Sequence, residues 1–410
     1  MPMRRPFVGL AVAMALAVIA STASARGPYS CGPFTLSEDL TESTDFALAE
    51  WVAGDPPKDV FVERPGYRYL SENQSLGSTT FRIVRTRDGA KDFAVGDEIA
   101  YPRYVAGEKG DRFLLARYAA GDPPKGYWSS VGKLPNAGFD YIAGLPAADG
   151  PVENRVAYFV RFLEFDDPLV SADAFMEIER FSPDDLAKSA DKLPRAKLRE
   201  WVAEKDPRTD SRLELYGIML GLCGDASDAE LLRKRIVEGR PNAENPDVRP
   251  AINGVKTGYL LLAGERGLAN LEREDLVDRE AIFSETFSTY RAVRFMAEHG
   301  RGKIGKERLC ESVRLLLDRS DIVDFAISDL AWWKDWSVRE RIFALYDKQN
   351  FDIPPIQRAI IRYFLLCERD VPADAKTDPP HVADAKRRLA ELRRRDPKLV
   401  SDVERFTFFE

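Results

Sequence analysis

The chain has 410 residues, 44% hydrophobic, 10% aromatic and 31% charged. That is apolar material for two or three domains, and it excludes a disordered or collagen-like chain. A formal charge of −7 and only two histidines, His299 and His381, argue against a dedicated nucleic-acid binder and against metal or triad chemistry built on several histidines.

Residues Met1 to Ala25 read as an export signal. Arg4 and Arg5 supply the positive end, Phe7 to Ala20 an apolar run too short to span a bilayer unaided, and Ala23-Ser24-Ala25 a small-residue cleavage site. The string Arg4-Arg5-Pro6-Phe7-Val8 fits either a twin-arginine signal or plain leader charge. Pro28-Tyr29-Ser30 before Cys31 lacks the residues of a lipid-anchor site, and no later stretch has the length and apolarity of a membrane span. The expected location is therefore the periplasm, cell envelope or exterior. Four cysteines in an oxidising compartment allow three full pairings. Cys223, Cys310 and Cys367 fall on apolar helical faces, where a free thiol packs as a small hydrophobe.

From Phe46 the texture is strand-like, with candidates Phe46–Val52, Val60–Leu70, Thr80–Arg85, Glu98–Tyr104 and Arg112–Tyr118. Turn clusters such as Asp88-Gly89 and Gly96-Asp97 separate them, and five short strands predict a small closed barrel over residues 26–150. Ala53-Gly54-Asp55-Pro56-Pro57-Lys58 recurs as Ala120-Gly121-Asp122-Pro123-Pro124-Lys125, each ending a strand because proline cannot donate to a ladder. The segments Asp45–Val52, Phe81–Arg85, Val95–Ile99 and Gly110–Leu115 together resemble the strand series of netrin-like domains, which include the tissue inhibitors of metalloproteinases. The resemblance covers about a quarter of the chain and implies an oligonucleotide/oligosaccharide-binding-type barrel. Those inhibitors chelate a target's zinc through a first-residue cysteine. Here Cys31 sits behind Arg26 to Ser30 and the disulfide partners are missing, so inhibition does not carry over and stays a distant alternative.

From Val152 the period changes to 3.6, and residues 151–410 read as helical repeats. Leading helices are expected near Leu169–Arg180, Thr209–Leu222, Val248–Ala263, Ser284–Glu298, Asp321–Trp333 and Pro354–Glu368. Following helices are expected near Pro183–Glu204 (broken at Pro194), Asp228–Glu238, Gly267–Val277, Gly305–Asp318, Val338–Lys348 and Val382–Arg395. The leading helices start roughly 35 to 40 residues apart, the period of helix-pair solenoids. Gly217-Ile218-Met219-Leu220 is echoed 41 positions on by Gly258-Tyr259-Leu260-Leu261. Tyr216, Met219, Leu220 and Cys223 form an i, i+3, i+4, i+7 stripe, as do Ile360, Tyr363, Phe364 and Cys367. Ser227 and Ser337 are candidate caps, with Glu340 completing a capping box for the latter; Gly224, Gly239, Gly264 and Gly300 suit helix ends. Asp167-Pro168 and the run Leu220–Asp225 resemble HEAT repeats. The whole plan is α+β: a small OB-like barrel followed by an α-solenoid of about six HEAT-like pairs. It resembles a group of uncharacterised exported bacterial proteins, and such repeats imply a protein-binding scaffold.

Motif by motif, Gly300-Arg301-Gly302-Lys303-Ile304-Gly305-Lys306 nearly spells a phosphate loop. Glu307 stands where Ser or Thr should hold magnesium and no strand precedes it, so a helix-to-helix turn is expected. Trp332 and Trp336 share a helix face by spacing while Trp333 points elsewhere, which makes Trp333 the candidate partner contact if it is exposed. Lys386, Arg387, Arg388, Arg393, Arg394 and Arg395 make a basic terminal helix, either a solvated end or a contact for an anionic partner, with Arg387, Arg388, Arg394 and Arg395 the candidate contacts. For a carboxylate-dependent hydrolase acting on polysaccharide or peptide, the acids on offer are Glu164, Asp166 and Asp167, then Glu272, Glu274 and Asp275, all read as solvated surface groups. No nucleophile elbow, zinc motif or calcium loop occurs, and no catalytic residue, cofactor or metal is expected.

Overall fold

The structure is a computed structural model and describes residues 35–41, 43–57, 61–64, 67–70, 76–87, 89–90, 92–120, 125–204, 211–241, 249 and 251–406. The expected leader and Cys31 lie outside the described residues. The fold is α+β, in two compact units, residues 1–182 and 183–410.

The first unit is a curled antiparallel sheet. Its strands are β1 (Asp45–Asp55), β4 (Ser78–Thr86), β5 (Glu98–Tyr101), β6 (Arg112–Ala120) and β7 (Lys125–Lys133), in the order β5-β4-β1-β6-β7. β2 (Phe61–Arg64) and β3 (Tyr67–Leu70) form a separate hairpin where a single strand was expected. One sheet face gathers Ala47, Ala49, Phe81, Ile83, Ile99, Tyr101, Phe113 and Leu115 into a core, closed by Trp51, Phe93, Val105 and Trp128. On the other face Phe46 packs edge-on against Phe139 at 5.8 Å between ring centres. The first half of β1, residues 45–49, is therefore buried on both sides and loses the period-two alternation of a solvated sheet. Bulges at Leu48/Ala49, Trp51/Ala53 and Leu114/Leu115 increase the local twist and curl the sheet.

The expected closed barrel is open among the described residues: β5 and β7 share no ladder. β5 stops at Tyr101 because Pro102 has no N–H to donate. Among the described residues, a 3.4 Å bond from the Ser130 N–H to the Tyr101 hydroxyl links β7 to β5. Among the described residues, four helices accompany the sheet in this unit: α1 (Leu36–Thr41), α2 (Asn136–Ala143), α3 (Val152–Phe159) and α4 (Pro168–Glu179). Asp167 caps α4 by accepting from the N–H groups of Leu169 and Val170, with Pro168 in the first turn where its missing N–H costs nothing. The helix read from sequence as the start of the repeats falls within the first unit, residues 1–182.

In the second unit, α5 (Pro183–Lys188) and α6 (Arg195–Ala203) precede α7 (Leu213–Cys223), α8 (Ala226–Val237) and α9 (Ile252–Leu271). Gly264, at φ 59°, divides α9 into two limbs, and a π-helical turn follows at Glu272–Leu276. Then come α10 (Phe283–His299), α11 (Lys306–Arg314), α12 (Val323–Trp332), α13 (Arg339–Ala344), α14 (Pro354–Arg369), α15 (Pro380–Arg395) and α16 (Pro397–Phe406). Leading helices touch in series: α7 on α9, α9 on α10 and α12 on α14, with Phe287 of α10 against Phe325 of α12 at 5.7 Å. The stripes expected on α7 and α14 point inward, with Tyr216, Leu220, Tyr363, Phe364 and Cys367 fully buried. Cys223, Cys310 and Cys367 are free thiols, and burial pushes all three up, to about 11, 11 and 12.

Two caps differ from expectation. Asp225, not Ser227, caps α8, in a reciprocal box with Asp228. Asp335, not Ser337, accepts from the Ser337 N–H. In both places a carboxylate stands two residues before the serine, and its charge makes it the stronger acceptor for the positive helix end.

Candidate functional site

The most elaborate polar arrangement in the second unit is buried. The first limb of α9 is inaccessible throughout Ile252–Leu261, and it carries a lysine, Lys256, at 0% exposure. A lysine is almost never fully buried without partners. Its Nζ donates to Asp275 Oδ2 at 3.0 Å, Glu285 Oε2 at 2.9 Å, the Glu285 carbonyl at 3.0 Å and Ser288 Oγ at 2.7 Å. Three protons face four acceptors, so its donor capacity is filled.

Both carboxylates have further partners. Asp275 accepts from Arg240 and the Thr289 hydroxyl. Glu285 takes a two-pronged contact from Arg249, through Nε at 3.1 Å and Nη2 at 2.8 Å. Arg249 also donates to the Ile236 and Glu238 carbonyls at 2.8 and 3.0 Å, which satisfies the C-terminal end of α8. Burial alone would push the Glu285 carboxyl up, but Lys256 and Arg249 outweigh it and hold the group below the ordinary glutamate range.

The π turn decides which acid goes where. Its wider winding fans three acids in different directions. Glu272 receives Arg308 through two 2.6 Å bonds, Glu274 receives Arg233 at 2.9 and 2.5 Å, and Asp275 turns inward to Lys256. The expectation that these three are solvated surface acids is corrected: each is half-buried or buried because it neutralises a cation from another helix. This arrangement ties α8, α9, α10 and α11 together and leaves no carboxylate of the three without a cationic partner.

A second buried pair lies in the first unit. Asp173 and Glu177 stand one turn apart on the apolar side of α4. Asp173 accepts from the Leu36 N–H at 2.6 Å and the Tyr141 hydroxyl at 2.5 Å; Glu177 accepts from Thr35 Oγ1 at 2.6 Å and Arg155 at 3.3 Å. The pair clasps the start of α1. Burial pushes the Asp173 carboxyl up to about 6, against the opposing pull of Tyr141 and the Leu36 N–H. A folded-state value above the unfolded one makes the ionised carboxylate a destabilising element, fully felt above pH 6 and lost as pH falls toward 4. Asp173→Asn is accordingly expected to stabilise the protein by about 1 to 2 kcal/mol at pH 8 and by nothing at pH 4. Urea midpoints at the two pH values check this, and a variant equally destabilised at both would refute it. Sequence reading missed this pair. The signal was present, in two acids at i, i+4 interleaved with Val170, Ala174 and Ile178.

The residues singled out from the sequence are scattered. Trp333 is half-buried at the end of α12, its N–H bonded to the Asp329 carbonyl at 2.8 Å. Trp332 is the exposed one, at 65%. The i, i+4 relation with Trp336 fails because the helix stops: Lys334 takes φ 58° and reverses the chain. Trp336 then tucks against Tyr363, its Nε1 donating to Asp370 at 2.7 Å. On α15, Arg387 and Arg388 both pair with Asp384, and Arg388 lies over the Phe343 ring at 4.5 Å. Arg395 pairs with Asp347 and Glu391, Lys386 with Asp378 and Arg393 with Glu404. Most of the basic run is thus neutralised within the fold, and Arg394 alone of the six makes no ion pair among the described residues. Residues 300–305 join α10 to α11 as a turn, with Arg301 and Gly302 at positive φ, as the missing strand implied, and Lys306 opens α11. Asp167 is consumed as a cap. A shallow recess of about 360 Å³, lined by Asp111, Arg112, Lys133 and Asn136, contains a 2.6 Å Lys133–Asp111 pair.

Among the described residues no group of His, Cys, Asp and Glu is arranged to hold a metal ion, and no helix is long and apolar enough to cross a membrane. No protein-family model matches the chain, and no curated protein matches it.

Proposed function

We propose that the chain is an exported, non-enzymatic scaffold. In this reading the first unit is an OB-like domain and the second a HEAT-like solenoid that binds a protein partner along its leading helices. The observation that carries it is the serial contact of α7, α9, α10, α12 and α14, which leaves large aromatic side chains of α10 and α12 outside the packed layer. A helix pair with one apolar stripe buries it by stacking, and the surface left over is an extended face suited to another polypeptide. Supporting the non-enzymatic side, Glu272, Glu274 and Asp275 are each neutralised by arginine or lysine, which is poor preparation for acid–base work on a substrate.

The test is photo-crosslinking in the native envelope. A benzophenone side chain in place of Ser328, on the outward side of α12, is expected to give one discrete heterologous adduct. The same group in place of Arg394 serves as comparison. No adduct above background from Ser328 would sink the scaffold reading. The exported location is checked by N-terminal sequencing of the mature protein, expected to begin at Arg26; retention of residues 1–25 would sink it.

A further inference from the structure

We infer that the outward side of α10, α12 and α14 is a docking face for an acidic polypeptide segment carrying a bulky apolar side chain. The inference rests on the scaffold reading and deepens it. The apolar half of the face is a run of touching rings. Phe283 stacks on Phe287 at 5.5 Å, Phe287 meets Phe325 edge-on at 5.7 Å, and Tyr290 lies beneath, 6.2 Å from Phe325. Phe283 is 45% exposed and Phe325 44%. Trp332 follows Phe325 by two helical turns, so it stands on the same side of α12 about 10 Å along the axis. Tyr290 donates to Asp329 at 2.6 Å, which anchors the floor between the two helices. Exposed aromatics held in mutual contact offer the preformed, low-entropy surface on which interface hot spots are built.

Charge selects the occupant. The next helix in the row, α14, buries Ile356, Ile360, Tyr363 and Phe364 and turns Arg358 and Arg362 outward, and neither arginine makes an ion pair among the described residues. On α10, Arg291 and Arg294 are already engaged by Glu214 and Glu298. One acid, Asp324, sits at the start of α12. Within α10, α12 and α14, the groups left without an ion pair among the described residues, Arg358, Arg362 and Asp324, sum to positive in a chain of formal charge −7. A second copy docking by twofold symmetry would set Arg358 and Arg362 against themselves, which like-charge repulsion opposes. An acidic segment places its carboxylates on these guanidinium groups and its apolar anchor among Phe283, Phe325 and Trp332.

The probe is a fluorescein-labelled 14-residue peptide, half Asp and Glu around a central Trp-Leu, measured by anisotropy against the full chain. Two companions carry Asn and Gln for the acids, or alanines for Trp-Leu. The acidic apolar peptide is expected to bind at least tenfold tighter than either companion and to weaken severalfold from 50 to 200 mM salt. Phe325→Ala with Trp332→Ala, and separately Arg358→Glu with Arg362→Glu, are expected to weaken it at least tenfold, whereas Arg394→Glu leaves it unchanged. Unaltered thermal unfolding of each variant shows that the fold is kept. Equal binding of the three peptides, or binding indifferent to both double variants, overturns the inference, and so does concentration-dependent dimerisation abolished by the aromatic pair. If the peptide fails while the Ser328 adduct persists, the acidic assignment falls and the scaffold reading stands; loss of the adduct removes both.

Discussion

Replacing Lys256 by methionine is expected to destabilise the second unit by about 3 to 5 kcal/mol, because it removes a counter-charge from Asp275 and Glu285, both of them buried. The methionine fills most of the volume, so the loss is electrostatic rather than a cavity effect. Arg240 and Arg249 remain and offset part of it, which places the change within that range rather than above it. The cost also has a pH signature. In the wild type, opposing cations hold the Glu285 carboxyl below its ordinary value, so its contribution is present above the unfolded glutamate range and fades as pH falls. Without Lys256 the folded-state carboxyl moves up, so the penalty is greatest near neutral pH and shrinks once the group protonates. Adding Glu285→Gln to Lys256→Met is expected to recover part of the loss at pH 7, since one of the stranded charges is gone. Guanidinium unfolding of the four proteins of this cycle measures it. A single-variant loss below about 1 kcal/mol would show that the buried lysine does not compensate these acids.

The second large effect belongs to glycine. A Cβ built on Gly258 would lie 2.0 Å from the Gly217 carbonyl oxygen, and one on Gly254 would lie 2.0 Å from the Glu214 carbonyl oxygen. Gly221 approaches the Gly258 Cα in the same way, at 2.4 Å. Helices α7 and α9 thus cross backbone on backbone, and the neighbours that a methyl would meet are main chain that cannot swing aside. Gly258→Ala is expected to cost about 3 kcal/mol as the helices are forced apart. Alanine favours an isolated helix over glycine by about 1 kcal/mol, so the sign itself is diagnostic. Gly305→Ala, with nothing within 4 Å of the new methyl and φ −63° at the N-cap of α11, serves as control and is expected to cost about 1 kcal/mol or less, the difference between glycine and alanine as a cap. A Gly258→Ala protein as stable as wild type would mean that the crossing is looser than the structure has it.

These two sites also show where legibility stops. The echo between Gly217 and Gly258 was visible as a repeat of local sequence, and each glycine lies in the helix expected of it. That they touch was not visible, because a repeat offset says which elements are alike and nothing about which atoms meet. Helix ends at Gly224, Gly239, Gly264 and Gly300 were readable, since cap conformation is a property of one or two residues. Strands β1, β4 and β6 were readable from their branched and aromatic content. β7 was missed: Gly126, Ser129, Ser130 and Gly132 give it little strand character of its own. It is held by pairing with β6, and a side chain at Gly126 would collide with Arg117.

Local dihedral preference and the side of each helix that is apolar were thus set by residues close in sequence, and those features were determined by the sequence alone. Partner choice among charges was not. Lys256 meets acids 19 and 29 residues away, and Arg240 reaches Asp275 across 35. Whether Glu272, Glu274 and Asp275 faced water or cations hung on a π turn that no local pattern announces. Which of Trp332 and Trp336 stayed outside hung on a single left-handed residue, Lys334. The physical reason is range: torsional and capping energies act within one helical turn, while desolvation and ion pairing depend on which helices are stacked side by side, and only the tertiary structure decides that.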